Sequence, residues 1–513
     1  MISRIITLSK SVFFRFFLLG LVLALTQEPF NLPYCTFLVL PLVSFLVIKF
    51  LTSSNDYLLA GLVFGLGYFG LTFIWIINPF LVDPQKNIWL APFAYILFTL
   101  SLSLFWALAF YLSNYLIRDE QKNRTKVFCL SILFAKAELF RCYVFSGFPW
   151  AILSYAWLDT PAAIFVTWFG PYILNSVIIV VGFNLFYSSF LNSILKVIFL
   201  LTLLLGLQDK YSDNVFEKES EYLTVRLVQP NIKQRDKWKK ENELNHLEIL
   251  INLSNKGPKP DLIVWPETSV YWLPEENPEK LKSIAEKIQS PLAFGALRFN
   301  RDTKKLFNAV FLIDKEGKIQ SIYDKTFLVP FGEYLPLGGL LKYFNIFNNS
   351  YRLIDGFSSG TGLKLVKNSG LPTFLPLVCY EALFSNEILG KVNEARWILN
   401  ITNDAWFGNS GGPKQHLNIA RMRALENNIP LVRVSNNGIS AKISKDGKIE
   451  EYIALNKRGF LDVELGLSPA REITYYSRIG KDVSSYFHLM LLLIPLLYYS
   501  VFRKRKKKGE YSG

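Results

Sequence analysis

Eight apolar stretches, at residues 11–26, 35–51, 57–82, 89–117, 127–147, 163–190, 194–208 and 486–502, restrict what this chain can fold into more than any other feature. Most are close to the ~20 residues that a helix needs to cross the hydrocarbon of a bilayer. Seven spans are therefore expected before residue 209 and one after 485, the stretch 194–208 being the shortest. Arg4 and Lys10 in front of the first stretch could introduce a secretory signal, but no small-x-small cleavage site follows and further stretches come at once, so it reads as a retained span. A chain that is 51% hydrophobic and 15% aromatic over 513 residues is too apolar to be only a soluble protein.

The net charge of +15 raises the question of nucleic acid, and the placement of the basic residues argues against it. "RKRKKK", Arg503 to Lys508, directly follows the last apolar stretch, as a membrane flank does. Arg4, Lys10, Lys49, the loop residues Arg118, Lys122, Arg124 and Lys126, and Lys196 all fall on the same side as that block if every span is real. Both termini are then cytoplasmic, and 209–485 lies outside the cytoplasmic membrane. The expected domains are 1–208, a transmembrane domain of about seven helices; 209–485, an extracytoplasmic domain; and 486–513, a C-terminal transmembrane helix with a basic tail.

Residues 209–485 read as a soluble α/β domain. Strand-like runs occur at 223–231, 261–267, 291–297, 308–314, 375–381, 396–404 and 430–436, with helical periodicity over 236–254 and 413–427. "DKEGK" (314–318) and "KDGK" (445–448) have the residues of hairpin turns. Three polar residues stand at or beyond the ends of such runs: Glu267 in "VWPETS", Lys325 in "IYDKTFLVPFGEYLP" and Cys379 in "PLVCYE". Ligands and catalytic groups gather at strand ends. Each also has a plain structural reading: Glu267 opening a helix, Lys325 solvated on a hairpin, Cys379 a small core side chain.

Chemistry joins them. A cysteine is a strong nucleophile only as its thiolate and needs a base or a cation beside it. The chain has three histidines, His246, His416 and His488, and no CxxC pattern or disulfide framework among its four cysteines. Of the three, His416 is expected to hydrogen-bond near the helix at 413–427. A carboxylate base with a lysine cation is the more economical solution, with Glu267 taking the thiol proton and Lys325 stabilising an oxyanion. Glu138 and Arg141, in the fifth apolar stretch, are functional candidates by position and are also spaced to pair on one helix face.

Glu267, Lys325 and Cys379, in that order within "WPE", "K…VPFGE" and "CYE", resemble the nitrilase (carbon–nitrogen hydrolase) superfamily, and most closely its membrane-bound apolipoprotein N-acyltransferase family. "LVQPNI" followed by Trp238, "NITNDAWFGNSGGPKQHLNIARMRALE", "VSNNGISA" and "SGFPW" (146–150) are similar to blocks of that family. The resemblance covers nearly the whole chain. It implies a polytopic helical membrane domain with an αββα sandwich as the extracytoplasmic domain, Glu267 as general base, Lys325 as oxyanion stabiliser and Cys379 as nucleophile. It further implies a role for Glu333 at the site, and roles for Trp238, Tyr380 and Glu381 in substrate handling or acylation. Thr326 and Phe327 stand where relatives often carry polar or basic residues, and Ser435 where threonine is common.

The implied reaction moves an acyl chain from a membrane phospholipid to Cys379 as a thioester, then to the α-amine of a diacylglyceryl apolipoprotein, in a bacterial inner membrane. No metal or redox cofactor is implied, nor any nucleic-acid partner, and a monomer is expected. Two other readings stand beside it: a tethered amidase in which water resolves the thioester, and a scaffold that has kept the fold. The stretches 335–363 and 405–414, rich in aromatics and glycine, are candidate lids at the lipid interface or parts of the domain's own core.

Overall fold

The computed structural model describes residues 2–116, 123–187, 221–336, 356–368, 370–468 and 472–510. The chain divides into two compact units, residues 1–213 with 410–415 and 479–513, and residues 214–409 with 416–478.

In the first unit, helices Ile2–Ala24, Cys35–Phe50, Ser54–Thr72, Ala91–Leu116, Asn123–Arg141 and Phe165–Phe183, with the later part of Tyr475–Glu510, occupy seven of the eight apolar stretches. The stretch 194–208 lies outside the described residues. Two segments, Pro84–Leu116 and Pro161–Phe183, are long and apolar enough to cross a membrane; a third qualifies if Ser54–Thr72 and Ile74–Leu81, bent by 50°, form one span. Glu138 and Arg141 pair as their spacing allows, at 2.8 Å, and both are buried. Arg141 also donates to the carbonyls of Phe148 and Trp150, and Trp106 Nε1 donates to Glu138, so the pair is hydrogen-bonded on every side and pins the segment after its helix.

The second unit holds, among the described residues, two six-stranded sheets. The first contains β1 (Glu221–Gln229), β2 (Leu262–Val264), β3 (Leu292–Asn300), β4 (Lys305–Ile313), β5 (Ile319–Asp324) and, from far along the chain, β12 (Gly459–Leu467), in the order β12-β1-β2-β3-β4-β5. The second contains β6 (Val366–Asn368), β7 (Leu371–Val378), β8 (Trp397–Thr402), β9 (Leu431–Ser435), β10 (Ser440–Ile443) and β11 (Ile449–Ile453), in the order β11-β10-β9-β8-β7-β6. The central strands β1–β2–β3 and β7–β8–β9 run parallel, and the outer pairings are antiparallel.

One apolar core joins inward residues of both sheets, among them Leu223, Val225 and Leu227 of β1, Val310 of β4, Leu377 of β7, Ile398 of β8 and Val432 of β9. Behind the first sheet, Ile263, Phe294 and Phe311 meet Leu250 and Leu253 of helix Glu243–Ser254 and Leu281 and Ile284 of helix Pro278–Ile288. Leu417, Ala420 and Ala424 of helix Gly411–Asn427 complete the core beside the second sheet. Strands covered on both faces need apolar residues on both, which is why β2, β7 and β8 read as continuous apolar runs rather than alternating ones.

Candidate active site

The three predicted residues lie just past strand ends. Glu267 follows β2 by three residues, Lys325 follows β5 directly and Cys379 follows β7 directly. Two therefore come from one sheet and the third from the other. Cys379 has φ of +49° and opens the short helix Cys379–Leu383, so the chain turns sharply where the strand stops and the thiol is presented at the bend. Glu267 is seated by β3: Gly295 N–H donates to the Pro266 carbonyl at 3.2 Å, and the Gly295 carbonyl accepts from Ser269 N–H at 2.7 Å. A Cβ on Gly295 would lie 2.6 Å from Glu267 Cα and 2.5 Å from Thr268 N, both backbone atoms that have nowhere to go.

Lys325 Nζ is buried, 2.9 Å from Glu333 Oε1 and 3.5 Å from Glu267 Oε1. Burial alone would lower this ammonium, but the two carboxylates outweigh it and hold it above its ordinary value, so the cation persists at neutral pH. Asn308 Nδ2 bridges the same carboxylates, at 2.7 Å to Glu267 and 3.1 Å to Glu333. Its Oδ1 is buried and has no hydrogen-bond partner among the described residues. Glu333 Oε2 accepts from Val329 N–H at 2.8 Å, which fixes Glu333 within its own loop. A second buried lysine, Lys237, donates to the Glu267 carbonyl at 3.0 Å. Burial pushes Lys237 down to about 8 against the pull of Glu267 and Cys379.

Burial pushes the Cys379 thiol up to about 12, and the Glu267 charge adds to it, while Lys325 and the neighbouring Thr402 side chain act the other way. The resting thiol is therefore protonated at neutral pH. It can become a nucleophile only by handing its proton to a base as the new bond forms.

Glu381 is fully buried and acts as a clamp between the two strand ends. Its Oε2 accepts from Val378 N–H at 2.7 Å, beside Cys379. Its Oε1 accepts from Thr326 N–H at 2.6 Å, beside Lys325, and from the Tyr323 hydroxyl at 2.7 Å. Burial pushes this carboxyl up to about 7 against these donors. Phe327 stacks on Phe384 with ring centroids 4.6 Å apart, closing the same junction with apolar surface.

The family model "Carbon-nitrogen hydrolase" matches residues 224–475, and "Apolipoprotein N-acyltransferase N-terminal domain" matches residues 19–184. An apolipoprotein N-acyltransferase of Brucella suis is 31% identical over 511 residues, covering 94% of both chains. One of Rhodopseudomonas palustris is 32% identical over 517 residues, again with 94% of each chain covered. This chain belongs to the apolipoprotein N-acyltransferase family.

For a member of the apolipoprotein N-acyltransferase family, the geometry sorts the expected residues into different surroundings. Glu267, Lys325 and Glu333 form one hydrogen-bonded set, and the charges of Glu267 and Lys325 act on Cys379. Trp238 is half exposed and packs edge-on against Tyr271, with centroids 5.7 Å apart. Tyr380 is buried and packs edge-on against Phe384, at 5.2 Å. Glu381 meets the Val378 and Thr326 backbone donors and the Tyr323 hydroxyl and is fully buried. Of the two candidate lids, 337–355 lies outside the described residues; in the other, Trp406 is partly exposed. Sequence reasoning missed Asn308, Lys237, Asp404 and Arg433. Asn308 heads an apolar run and Lys237 sits in a charged run, and neither pattern reports that the side chain is buried.

Gly295→Ala tests the seating of Glu267. The added methyl forces the Glu267 backbone away, so acyl transfer is expected to fall about 100-fold, as small misplacements at a reacting centre do, with an overpacking cost of about 1–3 kcal/mol. Single-turnover kinetics alongside thermal unfolding would show both; an unchanged rate would mean that the strand yields instead.

Proposed function

We propose that this chain is a phospholipid:apolipoprotein N-acyltransferase working through a thioester on Cys379. Glu267 takes the thiol proton as Sγ attacks the ester carbonyl of a phospholipid, and Lys325 stabilises the oxyanion of the tetrahedral intermediate. The intermediate collapses, the acyl–oxygen bond breaks, and Glu267 returns the proton to the departing lysophospholipid oxygen. The α-amine of a diacylglyceryl-cysteine then attacks the thioester. Glu267 accepts the amine proton, the carbon–sulfur bond breaks, and the proton returns to Cys379. The observation that carries this reading is the buried Glu267–Lys325–Glu333 hydrogen-bonded set, whose Glu267 and Lys325 charges act on the Cys379 thiol.

The same reading places the chain in a bacterial inner membrane as a monomer. The transmembrane domain is 1–208, the catalytic domain 209–485 lies on the extracytoplasmic face, and the C-terminal helix and tail are 486–513. About eight spans and cytoplasmic termini follow from the apolar stretches and the basic flanks. Half-exposed Trp238 is a substrate-handling residue on this reading, and Tyr380 and Glu381 support the nucleophile.

Intact-mass analysis after incubation with phospholipid and no acceptor tests the proposal. A hydroxylamine-sensitive acyl adduct is expected on the wild-type protein, absent in Cys379→Ala and Glu267→Gln, and discharged onto a diacylglyceryl-cysteine peptide. No adduct on folded protein would overturn the reading, and an adduct discharged only by water would make the chain a hydrolase.

A further inference from the structure

Beside Cys379 lies a polar cluster that this reaction scheme leaves unused. His416, Asp404 and Arg433 are all fully buried. Arg433 NH2 reaches Asp404 Oδ2 at 2.8 Å and His416 Nδ1 at 3.0 Å, Asp404 Oδ1 lies 2.9 Å from His416 Nδ1, and Thr402 Oγ1 donates to Asp404 Oδ1 at 3.0 Å. His416 Nε2 lies 3.1 Å from the Cys379 carbonyl. A carbonyl oxygen only accepts, so Nε2 carries the proton.

We propose that His416 is a positioning residue for the nucleophile: its Nε2–H holds the Cys379 carbonyl, and thereby fixes the left-handed backbone that presents the thiol. The inference rests on the thioester reading for what the thiol does, though not for how it is held.

Three observations support it. Cys379 sits at φ +49°, a strained conformation for a residue with a Cβ, which persists only where the surroundings over-determine it. The peptide unit is planar, so holding the Cys379 carbonyl also fixes the direction of the Tyr380 N–H on the opposite edge. The same cluster holds a second carbonyl of that strand end: Arg433 NH1 donates to Asn400 Oδ1, and Asn400 Nδ2 donates to the Leu377 carbonyl at 3.0 Å. Two carbonyls two residues apart are thus tied to one ionic anchor, while Glu381 holds the Val378 N–H between them.

The anchor itself has no room to shift. Gly438 closes over it, and a Cβ there would lie 2.2 Å from Asp404 Oδ2 and 2.5 Å from Ser435 Oγ. A core placed only to fill space would need neither the donor at Nε2 nor the charge pair behind it, and burying such a pair without a precise task carries a desolvation cost.

The test compares His416→Met, which keeps apolar bulk and removes the donor, with His416→Gln, which keeps an N–H within reach. Two readouts are used on purified full-length protein: the rate of Cys379 alkylation by iodoacetamide, and the kcat and KM of acyl transfer. His416→Met is expected to slow alkylation about tenfold and lower kcat about 100-fold with KM within about twofold, and His416→Gln to recover most of both rates. Wild-type rates in His416→Met, or equal loss in both variants, would overturn the proposal. If His416→Met does not fold, His416→Gln decides alone: near-wild-type alkylation supports the inference, and slow alkylation or failure to fold overturns it. Because alkylation needs no lipid substrate, it judges His416 even if the wild-type protein forms no acyl adduct, an outcome that would count against the thioester reading instead.

Discussion

Cys379→Ser is expected to lose acyl-enzyme formation by about four orders of magnitude or more while keeping the fold. The thiol is already difficult to deprotonate, since burial pushes it up to about 12. A hydroxyl holds its proton more tightly still and is raised by the same burial, so the proton lies further from any carboxylate base and less nucleophile is available. Oxygen is also the weaker nucleophile toward an ester carbonyl. Serine occupies almost the same volume and meets the same backbone strain at φ +49°, so stability offers no alternative explanation. Single-turnover transfer from labelled phospholipid, with thermal unfolding on the same samples, measures both sides. A serine variant within about tenfold of wild type would show that deprotonation is not what the site supplies.

Lys325→Met is expected to lower the acylation rate by about 1000-fold and to destabilise the domain by about 3–5 kcal/mol, because it removes the oxyanion partner and strands buried carboxylates in a single step. In the native site the ammonium lies 2.9 Å from Glu333 and 3.5 Å from Glu267, and Asn308 alone cannot neutralise two anions. Lys325→Arg separates the two effects. A guanidinium keeps the charge and so most of the stability, but its planar fork cannot sit where a compact ammonium sits, so the rate should stay down about 100-fold. Chemical denaturation and single-turnover rates of both variants give the comparison. Equal rates in Lys325→Arg and wild type would leave Lys325 a purely structural charge.

How much of this site was legible depended on what each residue's neighbours in sequence reveal. Cys379, Glu267 and Lys325 stand out in the sequence because strand-like runs point at them, and Cys379 is the one cysteine in the α/β region. Their surroundings do not. Arg433 lies within β9, where the apolar run gives the strand correctly, and nothing in the run says that a charged member is buried against Asp404. His416 was expected to hydrogen-bond near the helix at 413–427; its Nδ1 meets Asp404 and Arg433, and its Nε2 meets the Cys379 carbonyl, 37 residues away. The helix expected over 236–254 is two pieces, Gln234–Lys237 and Glu243–Ser254, and the break leaves Lys237 buried and Trp238 half exposed. The strand β12 was missed because "GFLDVELGL" carries acidic residues through its length and the partner that completes it is distant. In the first unit, the apolar stretches gave the described helices well, and length and composition qualify two, or three, spans among the described residues.

That distant pairing governs how the domain can be made. Strand β1 lies between β2 and β12 in nine-residue register, Glu221 opposite Leu467 and Gln229 opposite Gly459. During synthesis the first strand of the domain must wait for its last with one edge unpaired, and an open edge is a site of mispairing. The sheet that carries Glu267 and Lys325 is therefore incomplete until almost the whole domain has emerged, so chains truncated before residue 459 contain both residues but an unfinished sheet to hold them. Contacts of such long separation also make folding slow. Completion of the sheet that positions Glu267 and Lys325 thus belongs to the end of the domain's synthesis, after the strand that leads to Cys379 has been made.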